Sequence, residues 1–265
     1  MRVVKGHAYG NDFLLVPLPS ADLDRAAAAR RLCDRHQGIG ADGVIFHTLG
    51  PRRATMELFN ADGSASELSG NGLRCLGALV ARAQTLAVGD SIEIETGAGL
   101  KHLALRGATD GRYLFRTSLG PPAAVRQVAL TAAGEQLTAS VLNMGNPQCV
   151  VLGPLPDAAR FARLGPALAT HPSFPAGTNV EFACVTAPDR IEIVIWERGV
   201  GPTTSSGTGT AASAVAAAAH GGANRVVDVV APGGTQRVEW DDDGVHLTGW
   251  AELTLDGNWI GPPFL

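Results

Sequence analysis

Two short stretches of this chain combine a hydroxyl group with bare backbone: Ser69-Gly70-Asn71-Gly72 and Ser206-Gly207-Thr208-Gly209. Each is followed by an Ala- or Leu-rich run of helical character, LRCLGALVARAQ after the first and TAASAVAAAAH after the second. Alanine has the highest helix propensity, a Ser ahead of the run supplies an N-cap oxygen, and glycine lets a ligand approach the N–H groups of the first turn. Those N–H groups lie at the positive end of the helix dipole, so the chemistry they offer is the holding of an anion, a carboxylate or a phosphate. One such motif alone is equally the start of an ordinary capped packing helix. Here it recurs about half a chain later. Asn60 precedes Ser69 by the same interval that separates Glu197 from Ser206, and each sits where a strand ends. That recurrence predicts two halves of like design, with both helix starts turned into one cleft.

The elements that must position these motifs follow from hydrophobic periodicity. Arg2–Lys5, FLLVPL after Asn11-Asp12, Val44–His47, Met56–Phe59, 91–96, 100–106 and 112–119 read as strands, and 70–84 as a helix. Asn11 and Asp12 after a glycine suit a turn. An Ala/Arg helix over 21–36 starts at the cap Asp22. In the second half, strands are expected at 126–130, 141–143, 149–152, 180–185 and 191–196. A helix is expected over 156–170 and another from Thr208 to about His220. Four closing strands follow near 225–230, 236–240, 244–248 and 251–255. The reading is an α+β fold of two pseudo-symmetric domains, 1–120 and 121–265, with Pro121-Pro122 as the linker and the last strands free to cross back. Long mixed sheets around one central helix in each half fit this pattern.

Composition bounds the rest. With 265 residues, 45% apolar and 17% charged, the chain can bury substantial cores. A net charge of −4 and a pI near 6.0 argue against nucleic acid as the main partner. No apolar run reaches membrane-spanning length and no signal peptide is read at Met1, so a cytoplasmic location is expected. Cys33, Cys75, Cys149 and Cys184 lack metal spacing and read as reduced, mostly buried thiols. The scattered histidines have no paired-ligand spacing either. The expectation is no metal.

Five stretches together resemble the diaminopimelate epimerase family of cofactor-independent amino-acid racemases and epimerases. They are GNDF (10–13), GIGADG (38–43), NADGSASELSGNGLRC (60–75), MGNP (144–147) and ERGVGPTTSSGTG (197–209), in family order and spread over the whole chain. The resemblance implies two similar α+β domains, each a mixed or antiparallel, barrel-like sheet around a central helix, with the active site in the cleft between them. It also implies inversion of one α-carbon of LL-diaminopimelate to the meso form, by two residues that take and return the α-proton on opposite faces, without a cofactor. The partner implied is a small amino-acid substrate, a diamino-dicarboxylate, with neither nucleic acid nor membrane; homodimers are known in the family.

By motif match, Ser69 and Ser206 stand at the catalytic positions. Gly70, Asn71, Gly207 and Thr208 would hold the α-carboxylate, and Asn11, Asn60, Asn146, Asn179, Glu197 and Arg198 the rest of the substrate. Arg198 presents a fork that matches a second carboxylate, and Glu197 suits a distal ammonium.

The family's proton carriers are cysteines, and this chain has serine at both positions. Gln148 stands where GNPH is common, and Ala8 where the first motif usually has glycine. Ionising a thiol of pKa near 8.5 at pH 7 takes roughly 2 kcal/mol. An alcohol, taken to resemble water near 15.7, takes about 12 kcal/mol, and a helix N-terminus returns about 0.3–2 kcal/mol of that. A serine therefore acts as a base only when a neighbour accepts its proton, and neither motif contains an obvious acceptor. Two alternatives stay open: a related racemase, dehydratase or isomerase acting on another acid, or a non-catalytic amino-acid binder.

Overall fold

The computed structural model of the chain describes residues 1–18 and 23–261. Its architecture is α+β, and the described residues fall into two compact units, one within 1–117 together with 249–261 and one of Ser118–Thr248.

In the first unit, β1 (Arg2–Ala8) and β2 (Asn11–Pro17) form an antiparallel hairpin. Helix α1 (Arg25–Cys33) carries the chain over to β3 (Gly43–Gly50), which runs parallel to β2. Next come β4 (Arg53–Asn60), antiparallel to β3, and the short β5 (Ala65–Ser66). Helix α2 (Gly70–Gln84) then leads to β6 (Ser91–Thr96), parallel to β4. The meander of β6, β7 (Gly99–Thr109) and β8 (Arg112–Gly120) follows. The last strand, β17 (Gly244–Asn258), pairs with both β8 and β1 and closes a ring of eight strands. Helix α2 runs inside that ring. Leu73, Leu76, Leu79 and Val80 pack with Val4, Leu15, Ile45, Leu58, Ile94, Leu105, Phe115 and Ala251, so every strand of the ring meets the helix in one apolar cluster. Burial of this kind stabilises by about 1.5–3 kcal/mol for each large side chain.

The second unit repeats the plan step for step. It consists of β9 (Ala123–Ala132), β10 (Glu135–Asn143), β11 (Pro147–Leu152), α3 (Ala158–Ala169), β12 (Asn179–Ala187), β13 (Arg190–Glu197), β14 (Gly201–Thr203), α4 (Gly207–His220), β15 (Val226–Ala231), β16 (Gly234–Asp241) and the start of β17. β10 pairs antiparallel with β11, β11 parallel with β12, β12 antiparallel with β13, and β13 parallel with β15, each the counterpart of a pair in the first unit. Here the central helix is alanine-rich. Ala211, Ala212, Ala216 and Ala217 let Val150, Ile193, Ile195, Val229 and Val245 close tightly around it.

Four local expectations are corrected. Asn11 and Asp12 do not make the first turn; they pair with Ala8 and His7 as the opening of β2. The turn is Tyr9-Gly10, with φ of 56° and 90°, the paired positive values that a tight hairpin between right-twisted strands requires. Helix α1 is shorter than 21–36. Its cap is Asp24, whose side chain accepts from Ala27 N–H, while Asp22 lies outside the described residues. At its other end Asp34 Oδ1 accepts the N–H groups of His36 and Gln37 and turns the chain. The stretch at 141–143 is the end of the longer β10, and the closing stretches 244–248 and 251–255 are one continuous strand, β17.

All four cysteines are free, and burial pushes the thiols of Cys33, Cys75 and Cys149 up to about 12. Among the described residues no helix is long and apolar enough to cross a membrane.

Asp12 is buried at the opening of β2. Burial raises its pKa, but hydrogen bonds from Arg35 (2.8 Å) and Lys5 (2.9 Å) outweigh burial and bring it down to about 2. Because the folded value lies below the ordinary 3.8, the ionised form favours folding above pH 4, and that contribution disappears as pH falls through 2. Asp12→Asn is expected to lower stability by about 2 kcal/mol at pH 7 and to lose this effect near pH 2, as measured by urea unfolding at the two pH values.

Candidate active site

Each central helix begins with the same geometry. Ser69 caps α2 with φ −131° and ψ 123°, and Ser206 caps α4 with φ −140° and ψ 126°. Each serine Oγ accepts the N–H of the third helical residue, Gly72 at 3.1 Å and Gly209 at 3.2 Å. Each serine carbonyl takes the next N–H, that of Leu73 or Thr210. Helix geometry leaves the first two N–H groups of each helix over, those of Gly70 and Asn71 and those of Gly207 and Thr208. A pair of such N–H groups at a helix N-terminus is a cradle that can hold a carboxylate. Among the described residues no cluster of His, Cys, Asp and Glu is placed to hold a metal.

An asparagine from the preceding hairpin braces each cradle. In the first unit Asn71 Nδ2 donates to Asn11 Oδ1 (3.1 Å), and Asn11 Nδ2 donates to Asp42 Oδ2 (2.7 Å). Arg74, one helical turn on and 1% exposed, donates to Asn71 Oδ1 with its guanidinium over the Tyr9 ring. In the second unit Asn146 Nδ2 reaches Thr208 Oγ1 (3.4 Å), and Gln148 Nε2 donates to Asn146 Oδ1 (2.6 Å). The other predicted residues lie at strand ends. Asn60, at the end of β4, is exposed and bonded within its own turn to Ser64 Oγ (2.9 Å). Asn179, at the start of β12, accepts the backbone N–H of Arg198 (2.8 Å). The exposed Arg198 guanidinium donates to the carbonyl of Ala176 (2.8 Å), and Glu197 ends β13 as Asn60 ends β4.

Thus Asn11, Ser69, Gly70 and Asn71 come together in one unit, and Asn146, Ser206, Gly207 and Thr208 in the other. Asn60 stays in its own turn.

Reading the motifs alone misses Glu181. It lies on β12, opposite Val150 and Ile195, and is wholly buried, with neither carboxylate oxygen hydrogen-bonded. Burial, and then the charge of Glu197, hold its carboxyl well above the usual carboxylate range. A signal was present in the repeat: Val44-Ile45-Phe46 and Val180-Glu181-Phe182 occupy matching places after GIGADG and GTN, with one carboxyl where the first half has an isoleucine.

Comparison with known proteins agrees with this architecture. The family model for diaminopimelate epimerase matches residues 3–123 and 140–254. The chain is 42% identical to a diaminopimelate epimerase of Desulforudis audaxviator, covering 98% of this chain and 99% of that one. It is 35% identical to a diaminopimelate epimerase of Desulfitobacterium hafniense, covering 97% of each. Among solved structures, a predicted epimerase from Pseudomonas aeruginosa shares the fold with a TM-score of 0.75 at 16% identity, over 98% of this chain and 99% of that one.

Proposed function

The chain belongs to the diaminopimelate epimerase family, and from that premise we propose that it is an isomerase inverting one α-carbon of diaminopimelate, LL to meso, by proton transfer on two faces. The observation that carries the proposal is the duplicated cradle, two serine-capped helix starts of nearly equal backbone angles, each with two N–H groups left for an anion. Gly70 and Asn71, with Gly207 and Thr208, hold the α-carboxylate. Holding it against positive helix ends stabilises the negative charge that spreads from Cα into the carboxylate when the proton leaves.

Ser69 serves one face and Ser206 the other. Asn11 and Asn146 keep the second residue of each cradle in place through the side chains of Asn71 and Thr208. Asn60, Asn179, Glu197 and Arg198 take the distal end, where Arg198 pairs with the second carboxylate and Glu197 with the ammonium. Two charges of opposite sign at that end select a diamino-dicarboxylate over a simple amino acid.

In D₂O the chain is expected to place deuterium at Cα of diaminopimelate while LL and meso forms interconvert, followed by NMR. Binding of diaminopimelate with no exchange over many hours would overturn the assignment and leave a binding protein.

A further inference from the structure

The two repeats differ at one buried position. Along the strand faces that pack on each central helix, the row nearest the cap is Phe13, Gly43 and Asn60 in the first unit, and the next row is Leu15, Ile45 and Leu58. The same next row in the second unit is Val150, Glu181 and Ile195. That row is wholly apolar in the first unit, so a carboxyl is not what packing requires there. Burying one without a hydrogen bond costs about 1–3 kcal/mol.

The place that each of these residues reaches is the third residue of the helix. A Cβ on Gly72 would lie 2.9 Å from Ile45 Cδ1 and 3.3 Å from Met56 Cε, so methyl groups stand nearest the third residue of the helix that Ser69 caps. A Cβ on Gly209 would lie 2.5 Å from Glu181 Oε1 and 3.2 Å from Ser206 Oγ. The carboxyl and the hydroxyl therefore share the space left by the missing side chain of Gly209. Ser206 already accepts the Gly209 N–H, which leaves its own proton to be given away.

We infer that Glu181 is the proton partner of Ser206, taking the hydroxyl proton as Ser206 Oγ takes the α-proton of the substrate. The inference rests on the reading of Ser206 as the proton carrier of its unit. The step balances. The C–H bond breaks and its electron pair stays on Cα, Oγ gains that proton and releases its own, and one proton ends on the Glu181 carboxylate. Ser206 is a neutral hydroxyl before and after, so no free alkoxide forms. In the reverse direction the carboxyl returns the proton through the same oxygen. Glu181 acts through Ser206 and has no contact with substrate; it positions a proton. Its apolar surroundings make its carboxylate a stronger base than an exposed one.

The test uses the full chain with Glu181→Gln, Glu181→Asp and Glu181→Ile, each with Ser206 retained and with Ser206→Cys. The readouts are deuterium uptake at Cα of diaminopimelate and the LL-to-meso rate. With Ser206 retained, Glu181→Gln and Glu181→Ile are expected to lose at least about 100-fold, and Glu181→Asp to recover part of it. With Ser206→Cys the thiol ionises without help, and Glu181→Gln is expected to cost only a few fold. Equal losses in both backgrounds would make Glu181 a packing residue and overturn the inference, as would no loss in either. Glu181→Ile carries the residue of the first repeat, and near-UV circular dichroism separates its effect from unfolding. Exchange abolished by Ser206→Ala but untouched by Glu181→Gln would leave the reading of Ser206 standing and reject its partner. An unaltered chain that exchanges no α-deuterium rejects both.

Discussion

Replacing Ser69 and Ser206 together by cysteine is expected to raise the rate of diaminopimelate α-proton exchange and of epimerisation by roughly 100- to 10,000-fold. The caps themselves do not change: each serine Oγ accepts one N–H, and a thiolate in the same place accepts it as well. What changes is the difficulty of giving up a proton, about 10 kcal/mol less for a thiol than for an alcohol taken to resemble water. Only part of that difference reaches the rate, since proton transfer is incomplete in the transition state and Glu181 already relieves Ser206. The Ser69 side carries the greater share. Beside its third helical residue stand the Ile45 and Met56 methyl groups where the other cap has the Glu181 carboxyl, so Ser69→Cys alone is expected to gain more than Ser206→Cys alone. Rates for the two single variants and the double variant measure this directly. A well-folded double variant that leaves diaminopimelate untouched would show that the substrate is another acid.

Replacing Arg74 by alanine is expected to lower stability by about 3–5 kcal/mol, and to weaken substrate binding in whatever molecules remain folded. Arg74 is among the largest fully buried side chains of the chain, and it is embedded in the helix that the first ring of strands encloses. Alanine there leaves a cavity the size of the guanidinium and its stem. It also leaves Asn71 Oδ1 without its donor, freeing the side chain that links the cradle to Asn11. Arg74→Met refills most of the volume and restores no hydrogen bond. It is expected to recover most of the stability and little of the binding, as read by urea unfolding beside calorimetric titration with diaminopimelate. Equal recovery of both would mean that Arg74 only fills space.

The parts of the site that were legible in the sequence are those built by local rules. A serine ahead of Gly-Asn-Gly or Gly-Thr-Gly and a run of helix formers specifies a cap, and both caps form with the hydroxyl on the third N–H. Asn11 was legible as a turn residue, but not as a strand residue. Asn and Asp are turn formers by propensity, yet the hairpin register assigns them to β2 and puts the positive-φ positions on Tyr9 and Gly10. Helix α1 stops short because Asp34 captures two N–H groups just past its end, a bond that the Ala/Arg pattern does not announce. β17 runs unbroken past Gly249, whose successor Trp250 donates its N–H to the Tyr9 hydroxyl across a sequence separation of 241.

The sequence by itself determined the duplicated helix starts and the serine that caps each, because these arise within a few consecutive residues. Tertiary structure alone decided what stands behind each hydroxyl. Parallel pairing of β2 with β3 and of β11 with β12 brings position 45 beneath one cap and position 181 beneath the other. The third residue of one helix therefore has hydrocarbon beside it and that of the other a carboxyl. Whether a carboxyl is solvated or stripped of water depends on strands that join it from distant parts of the chain, and here that burial turns Glu181 from one more acidic residue into a base for Ser206.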